Sequence, residues 1–170
     1  MKISIIGYSG SGKSTLAGKL AEKYGAPVLY LDTLHWLPGW KERPREEELT
    51  YLGSFLDEND SWVIDGNYGK LHFERRTEEA DLIILMLFSR FSSLRRIIRR
   101  YRENKGRTRD SMTDGCPEKI DREFLHWVLI GSRTKKRRQL YSDVLKKHRA
   151  KCIIIKNQRQ LDRYEKSQFH

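Results

Sequence analysis

Eight consecutive residues, Gly7-Tyr8-Ser9-Gly10-Ser11-Gly12-Lys13-Ser14, hold the clearest chemistry in the chain. Their glycines let successive backbone N–H groups turn inward around an anion, and Lys13 and Ser14 close the segment with a cation and a hydroxyl. The pattern is G-x-x-x-x-G-K-[ST], preceded by an apolar run and followed by a helix-like stretch, which is the context a phosphate-binding P-loop requires. The helix start adds unpaired N–H groups and the positive end of its dipole. Gly7, Ser9, Gly10, Ser11, Gly12, Lys13, Ser14 and Thr15 are therefore the expected contacts of a nucleotide. Lys13 should reach the β- and γ-phosphates, and Ser14 should ligate Mg²⁺. ATP and Mg²⁺ are the expected cofactors.

Two carboxylates stand where they could work with that loop. Asp32 follows Val28-Leu29-Tyr30-Leu31, and Asp65 follows Trp62-Val63-Ile64. In an open parallel sheet, ligands collect outside the carboxyl ends of the strands, so both should arrive near Lys13. Phosphoryl transfer needs a metal over the phosphates and a group that orients or deprotonates the acceptor. Asp65, with Ser14, is the metal candidate, and Asp32 the acceptor candidate. Both also suit plain turn or helix capping. The following stretch, Thr33 to Trp40, carries His35, Trp36 and Trp40, either a stacking platform for a flat acceptor or a satellite cluster over the core. Asp32, His35, Trp36, Arg43, Asp65, Asn67 and Tyr68 make up the expected acceptor side.

Residues 90–109 hold nine Lys and Arg against one acid, Glu103. Arginines placed at a transferring phosphoryl group stabilise its developing charge. Arg99, Arg107 and Arg109 are the expected catalytic arginines, beside Lys13 and Asp32, with 104–116 as a lid loop that closes over the site. Arg133, Lys135, Lys136, Arg137 and Arg138 could meet the same phosphates from the other side. Arg159, just past Ile155, is positioned either to lie on the adenine ring or to belong to a plain β–α turn.

Composition sets the bounds. The 170 residues are expected to form a single domain, 1–170, with an acceptor-binding insertion over 32–60. The net charge of +11 is uneven: residues 1–85 carry 10 Lys and Arg against 14 Asp and Glu, residues 86–170 carry 24 against 9. Such asymmetry admits a second reading, an ATP-binding regulator that contacts DNA through its basic C-terminal half. No helix-turn-helix or zinc-finger signature accompanies it. The longest apolar run, Leu82 to Phe88, is too short for a bilayer. The N-terminal apolar stretch runs straight into the P-loop without a signal-peptide pattern. Two cysteines, Cys116 and Cys152, suggest no disulfide framework, so a cytoplasmic setting is expected.

These residues must be carried by alternating strands and helices. Short apolar runs at 2–6, 28–31, 62–64, 82–88 and 152–155 read as strands. Helices are expected to Tyr24, over Arg45–Glu58, Phe73–Glu79 and Ser92–Glu103, from Pro117 to about His148 with a bend near Gly131, and over Arg159–Lys166. On the arginine-rich helix, Leu94, Ile97, Ile98 and Tyr101 should face inward. Such alternation predicts an α/β fold, a parallel sheet with helices on both faces.

With these pieces located, the chain resembles the adenylate-kinase-like group of P-loop kinases. More narrowly it is similar to the bacterial topology modulation proteins, through Gly7 to Thr15, Leu31-Asp32-Thr33-Leu34-His35-Trp36, Trp62-Val63-Ile64-Asp65-Gly66-Asn67-Tyr68 and Gly115-Cys116-Pro117-Glu118. The resemblance implies a P-loop NTPase fold with five parallel strands in the order 2-3-1-4-5, an acceptor region between strands 2 and 3, and a basic lid after strand 4. It implies phosphoryl transfer from ATP to a small acceptor. One departure stands out. Nucleoside monophosphate kinases carry Asp-Gly-x-Pro-Arg after strand 3, and here Gly69 occupies the arginine's place, so Arg75 or Arg76 would have to replace it.

Overall fold

Five short, nearly all-apolar segments lie side by side as parallel strands: β1 (Lys2–Gly7), β2 (Val28–Tyr30), β5 (Trp62–Asp65), β6 (Leu82–Met86) and β7 (Cys152–Ile155). The computed structural model describes residues 1–104, 106, 108–109 and 111–169. Numbered along the chain, the five strands stand in the order 2-3-1-4-5, with β1 central. Successive side chains of a strand point to opposite faces, and here both faces are buried. Ile3, Ile5, Val63, Ile84 and Met86 pack with Leu16 and Leu20 of α1 (Lys13–Tyr24) and Leu161 of α8 (Gln158–Phe169). Ile6, Trp62, Ile64, Ile83 and Leu85 pack with Leu52 and Leu56 of α3 (Arg45–Glu58) and Tyr141 and Val144 of α7 (Lys135–Lys147).

Most element boundaries agree with the sequence reading, and the differences have local causes. The stretch after β2 is not all loop. Leu31–His35 forms a short helix, α2, and Trp36–Leu37 (β3) pairs antiparallel with Lys41–Glu42 (β4) in a small hairpin. α5 spans Arg90–Asn104, and its inward face is Ser93 and Ile97; Ile98, expected inside, is exposed. The long helix expected from Pro117 starts only at Arg122, where the Asp121 carboxylate caps the Phe124 N–H at 2.7 Å. That helix, α6 (Arg122–Leu129), ends in a 3₁₀ turn at Gly131–Arg133, and α7 restarts behind the Thr134 cap. A bend had been expected there; a break is present.

The turn after β5 is held from inside by a cation. Arg76, on α4 (Phe73–Glu79), is 0% exposed. Its Nε donates to the Leu71 carbonyl (2.9 Å), Nη1 to Gly66 (3.2 Å) and Nη2 to Tyr68 (3.2 Å). Burial pulls its proton affinity down to about 9, a value the nearby Asp65 carboxylate helps to keep above neutrality, so Arg76 remains a buried cation. Replacing it with methionine would leave the Leu71 and Gly66 carbonyls without this donor, each costing about 1–3 kcal/mol when buried, while Tyr68 would keep its bond from the Leu71 N–H at 2.9 Å. Arg76→Met should therefore lower the urea midpoint by the equivalent of about 3 kcal/mol or more. Arg76→Lys should recover only part of that loss, because an ammonium lacks the planar fork that spans all three carbonyls.

Candidate active site

The loop between β1 and α1 is shaped by what it lacks. Gly7, at φ +145°, approaches the neighbouring strand so closely that a Cβ would stand 2.2 Å from the Met86 carbonyl oxygen. Gly12, at φ +93°, caps α1 without offering a side-chain acceptor, which leaves the first-turn N–H groups directed at the loop. A Cβ there would fall 2.3 Å from Nη2 of Arg96. The Lys13 ammonium folds back onto the Tyr8 carbonyl at 3.0 Å. The Ser11 hydroxyl is buried with no hydrogen-bond partner. Free donors, an orphaned hydroxyl and a lysine within one turn could hold a polyphosphate. Ser9 and Gly10 line the partly open side of the loop, and Thr15 is exposed on the first turn of α1.

β5 lies next to β1 with Ile5 opposite Asp65. The register brings Asp65 level with the loop, and the Ser14 hydroxyl donates to its Oδ2 at 2.6 Å. Asp65 is 6% exposed, and its Oδ1 has no hydrogen-bond partner. Burial raises its pKa above the ordinary carboxylate value, against the lowering influence of Lys13 and the Ser14 hydrogen bond. A hydroxyl and a carboxylate with one unused oxygen are hard donors of the kind that hold Mg²⁺ together with phosphate oxygens and water.

Asp32 arrives on the same edge, near enough to raise the Asp65 pKa. The Tyr68 hydroxyl donates to its Oδ1 at 2.7 Å. Burial, and then the Asp32 charge, hold the Tyr68 phenol well above its ordinary pKa, so it stays a donor. His35 Nδ1 lies 2.6 Å from Oε1 of Glu48, which is 2% exposed. Its ring meets Trp36 edge-on at 4.7 Å and Tyr68 at 5.1 Å. Asp32, His35, Trp36 and Tyr68 thus form one wall. Arg43 takes a different place: its Nε donates to the Leu34 carbonyl at 2.7 Å, bracing the turn behind that wall. Asn67 also serves the scaffold, its Nδ2 donating to the Gly7 carbonyl (2.7 Å) and its Oδ1 accepting from the Gly7 N–H (2.9 Å). The Tyr141 hydroxyl donates a second hydrogen bond to the same oxygen at 3.2 Å.

Neither arginine suggested as a replacement for the missing one is free. Arg75 is paired with Asp57 (2.6 Å) and Glu79 (2.5 Å) at the surface, and Arg76 is enclosed beneath the turn.

The basic helix divides by face. Arg99 is 80% exposed and paired with Glu103 one turn on, so it belongs to the solvent face and not to the cluster. The residue beside it, Arg100, turns inward. One helical step rotates a side chain by about 100°, which separates the two. Glu118, its side chain 4% exposed, grips Arg100 at 2.5 Å and Arg109 at 2.6 Å, one on each oxygen. The Arg109 charge lowers the Asp65 pKa and the Asp32 charge raises that of Arg100, so each guanidinium lies within electrostatic reach of one carboxylate. Arg107 lies outside the described residues. Arg96, one turn before Arg100, leans against Gly12, stacks on Phe88 at 5.1 Å and donates to Gln158. Its neighbour in sequence there, Arg159, is exposed on the first turn of α8.

Arg96, Arg100 and Glu118 were missed in the sequence. The i, i+4 spacing of Arg96 and Arg100 was the available signal, and for Glu118 it was its place in the Gly115–Glu118 segment that carries the resemblance. Arg133 is not a phosphate ligand in waiting: it is buried, donates to the Phe88 and Val128 carbonyls and Ser93, and covers the Tyr8 ring at 3.9 Å.

The same architecture occurs in solved structures. TT1252 from Thermus thermophilus matches over 98% of this chain and 95% of its own, at 19% identity and a TM-score of 0.55. A deoxyadenosine kinase from M. mycoides with bound dATP matches over 98% of both chains, at 15% identity and a TM-score of 0.53. A gluconokinase from Sinorhizobium meliloti 1021 matches over 98% of this chain and 89% of its own, at 15% identity and a TM-score of 0.50. No protein-family model matches the chain, and neither does any curated protein. At these identities the likeness shows the fold: an α/β fold with five parallel strands between two layers of helices.

Proposed function

We propose that the protein is an ATP- and Mg²⁺-dependent phosphotransferase acting on the hydroxyl of a small-molecule acceptor. The observation that carries this reading is the 2.6 Å hydrogen bond from Ser14 to Asp65, with Asp32 and Tyr68 on the same sheet edge. Solved relatives in fold include a nucleoside kinase and a sugar kinase, which supports the reaction class. The finer resemblance to topology modulation proteins rests on the Asp32–Trp36 and Asp65–Tyr68 segments, and it adds no acceptor.

In this reading the loop N–H groups and Lys13 hold the β- and γ-phosphates, and Ser14 and Asp65 supply protein oxygens to Mg²⁺. That ion, when bound, neutralises charge on the phosphate oxygens. Asp32 is oriented by Tyr68 and keeps its second oxygen for the acceptor. It takes the hydroxyl proton as the acceptor oxygen bonds to the γ-phosphorus and the bond to the β-bridging oxygen breaks. Arg100 and Arg109, aligned by Glu118, face the oxygens on which charge accumulates. Arg159 and the turn before it flank the place for the adenine. The chain acts as one domain, with residues 32–60 as its acceptor-binding insertion and 104–116 as its lid. DNA contact through the basic C-terminal half is the weaker reading, because two of its arginines, Arg100 and Arg109, are drawn inward onto Glu118 instead.

ADP release measured with ATP·Mg²⁺ and a panel of nucleosides, nucleotides and sugars tests the assignment. At least one compound should raise the rate above that of the protein alone; a flat panel counts against it. Lys13→Ala should abolish the activity found, and Asp32→Asn should lower kcat by about 10²–10⁴. Arg100→Ala should lower kcat, whereas Arg99→Ala should leave it unchanged.

Asp65→Asn should separate activity from stability. A carboxylate whose pKa is raised by folding holds its proton to higher pH in the native state than in the unfolded chain. Native stability therefore falls as pH rises from the ordinary value of 3.8 through the raised one. Thermal melts without metal should show this fall in the wild type relative to the variant, which should be about 0.5–2 kcal/mol more stable at neutral pH while losing Mg²⁺-dependent turnover.

A further inference from the structure

We infer that the acceptor is an uncharged, ring-bearing alcohol that carries no phosphate of its own. This rests on the phosphotransferase reading above and concerns the other half of the same site.

The wall leading to Asp32 is a continuous line of four rings. Trp40 meets Trp36 at 5.5 Å, Trp36 meets His35 at 4.7 Å, and His35 meets Tyr68 at 5.1 Å. The line ends at the Tyr68 hydroxyl on Asp32, 2.7 Å. Aromatic edges and faces in such a row accept a flat base or the C–H face of a sugar ring. The polar groups set among them are mostly hydrogen-bond acceptors: Asp32, the buried Glu48 against His35 Nδ1, and Glu42 at 3.9 Å from His35 Nε2. Carboxylates recognise hydroxyl groups by accepting from them.

A phosphate on the acceptor would need the opposite, two or more charged donors at a partly dry position. Among the described residues, each cation around the wall that is not fully exposed is already engaged. Arg43 donates to the Leu34 carbonyl and reaches Glu47 at 3.6 Å. Arg75 is shared by Asp57 and Glu79, and Arg76 by three carbonyls. Arg100 and Arg109 are joined through Glu118. Lys119 lies over Trp40 at 4.9 Å and pairs with Asp121 at 3.1 Å. Among the described residues, Lys41, Arg45 and Lys70 are left, all exposed, where water and salt screen them. A second phosphate in the lobe would face Asp32 and Glu48, while among the described residues Arg100 and Arg109 are already held by Glu118 and, on the phosphotransferase reading, serve the transferring group.

The test uses the full chain and two readouts. Tryptophan fluorescence follows binding at the Trp36–Trp40 wall in the presence of a non-hydrolysable ATP analogue, and ADP release follows transfer. The ligands are purine and pyrimidine nucleosides, neutral pyranoses, and the monophosphate of each. A neutral compound should bind and accept phosphate, with its monophosphate binding about tenfold weaker or more, from repulsion by nearby carboxylates. The nucleoside and pyranose arms tell which ring the wall takes. A monophosphate that binds as tightly as its parent overturns the inference, as does the absence of binding by every neutral ligand at millimolar concentration. Binding of a neutral compound without ADP release leaves the inference standing and sinks the phosphotransferase reading instead. Glu48→Gln, checked by melting for an intact fold, should narrow the gap between parent and monophosphate several-fold; an unchanged gap removes the electrostatic basis and counts against the inference.

Discussion

The hydrogen bond between the Ser14 hydroxyl and the Asp65 carboxylate joins the first turn of α1 to the end of β5, and it exists only because two strands are in one register. Ile5 stands opposite Asp65, so the chain leaves β1 for the loop two residues beyond the level at which Asp65 projects. A slip of one residue would turn Asp65 to the opposite face of the sheet and bring a neighbour in its place. The register is fixed by burial on both faces: Trp62 and Ile64 fill one layer while Val63 fills the other, and each is fully enclosed. The site's geometry is thus a by-product of core packing, held by apolar side chains that touch no ligand.

Polar groups then lock what the core has brought together. Asn67 pairs with both backbone groups of Gly7 as a peptide would, extending the β1–β5 contact one step past the strands. Arg76 gathers the carbonyls of the next residues and lends its charge to Asp65 from within. A buried anion and a buried cation would each be costly alone, and their proximity offsets part of both penalties. The result is a stiff turn at the point where Tyr68 must meet Asp32.

Much of this was written plainly in the sequence. The P-loop spacing, the five apolar runs and the placement of Asp32 and Asp65 after two of them depend on local pattern, which one sequence carries. The arginines were harder. Composition marks residues 90–109 as basic, but only the helix phase separates Arg100 from Arg99, and the phase is set by Ser93 and Ile97 packing inward where Ile98 was expected. Glu118 was read as the start of a helix; its role as the acid joining two arginines depends on contacts spanning 18 and 9 residues, invisible to periodicity. Asn67 and Arg43 sat in the right neighbourhood, but their donors were directed at backbone, a choice decided by distances no motif encodes.

The segment from Thr113 to Glu118 touches both halves of the cleft. Thr113 donates to the carbonyls of Thr33 (3.1 Å) and Trp36 (2.5 Å), the Cys116 thiol reaches the Leu37 carbonyl, and the Gly39 N–H bonds to the Gly115 carbonyl. Two residues after Cys116, Glu118 holds Arg100 and Arg109. Six residues therefore act as a strap between the hairpin that bears the tryptophans and the guanidiniums of Arg100 and Arg109. On the proposed reading, an acceptor seated against the hairpin would be joined through this strap to the arginines that meet the transferring phosphate.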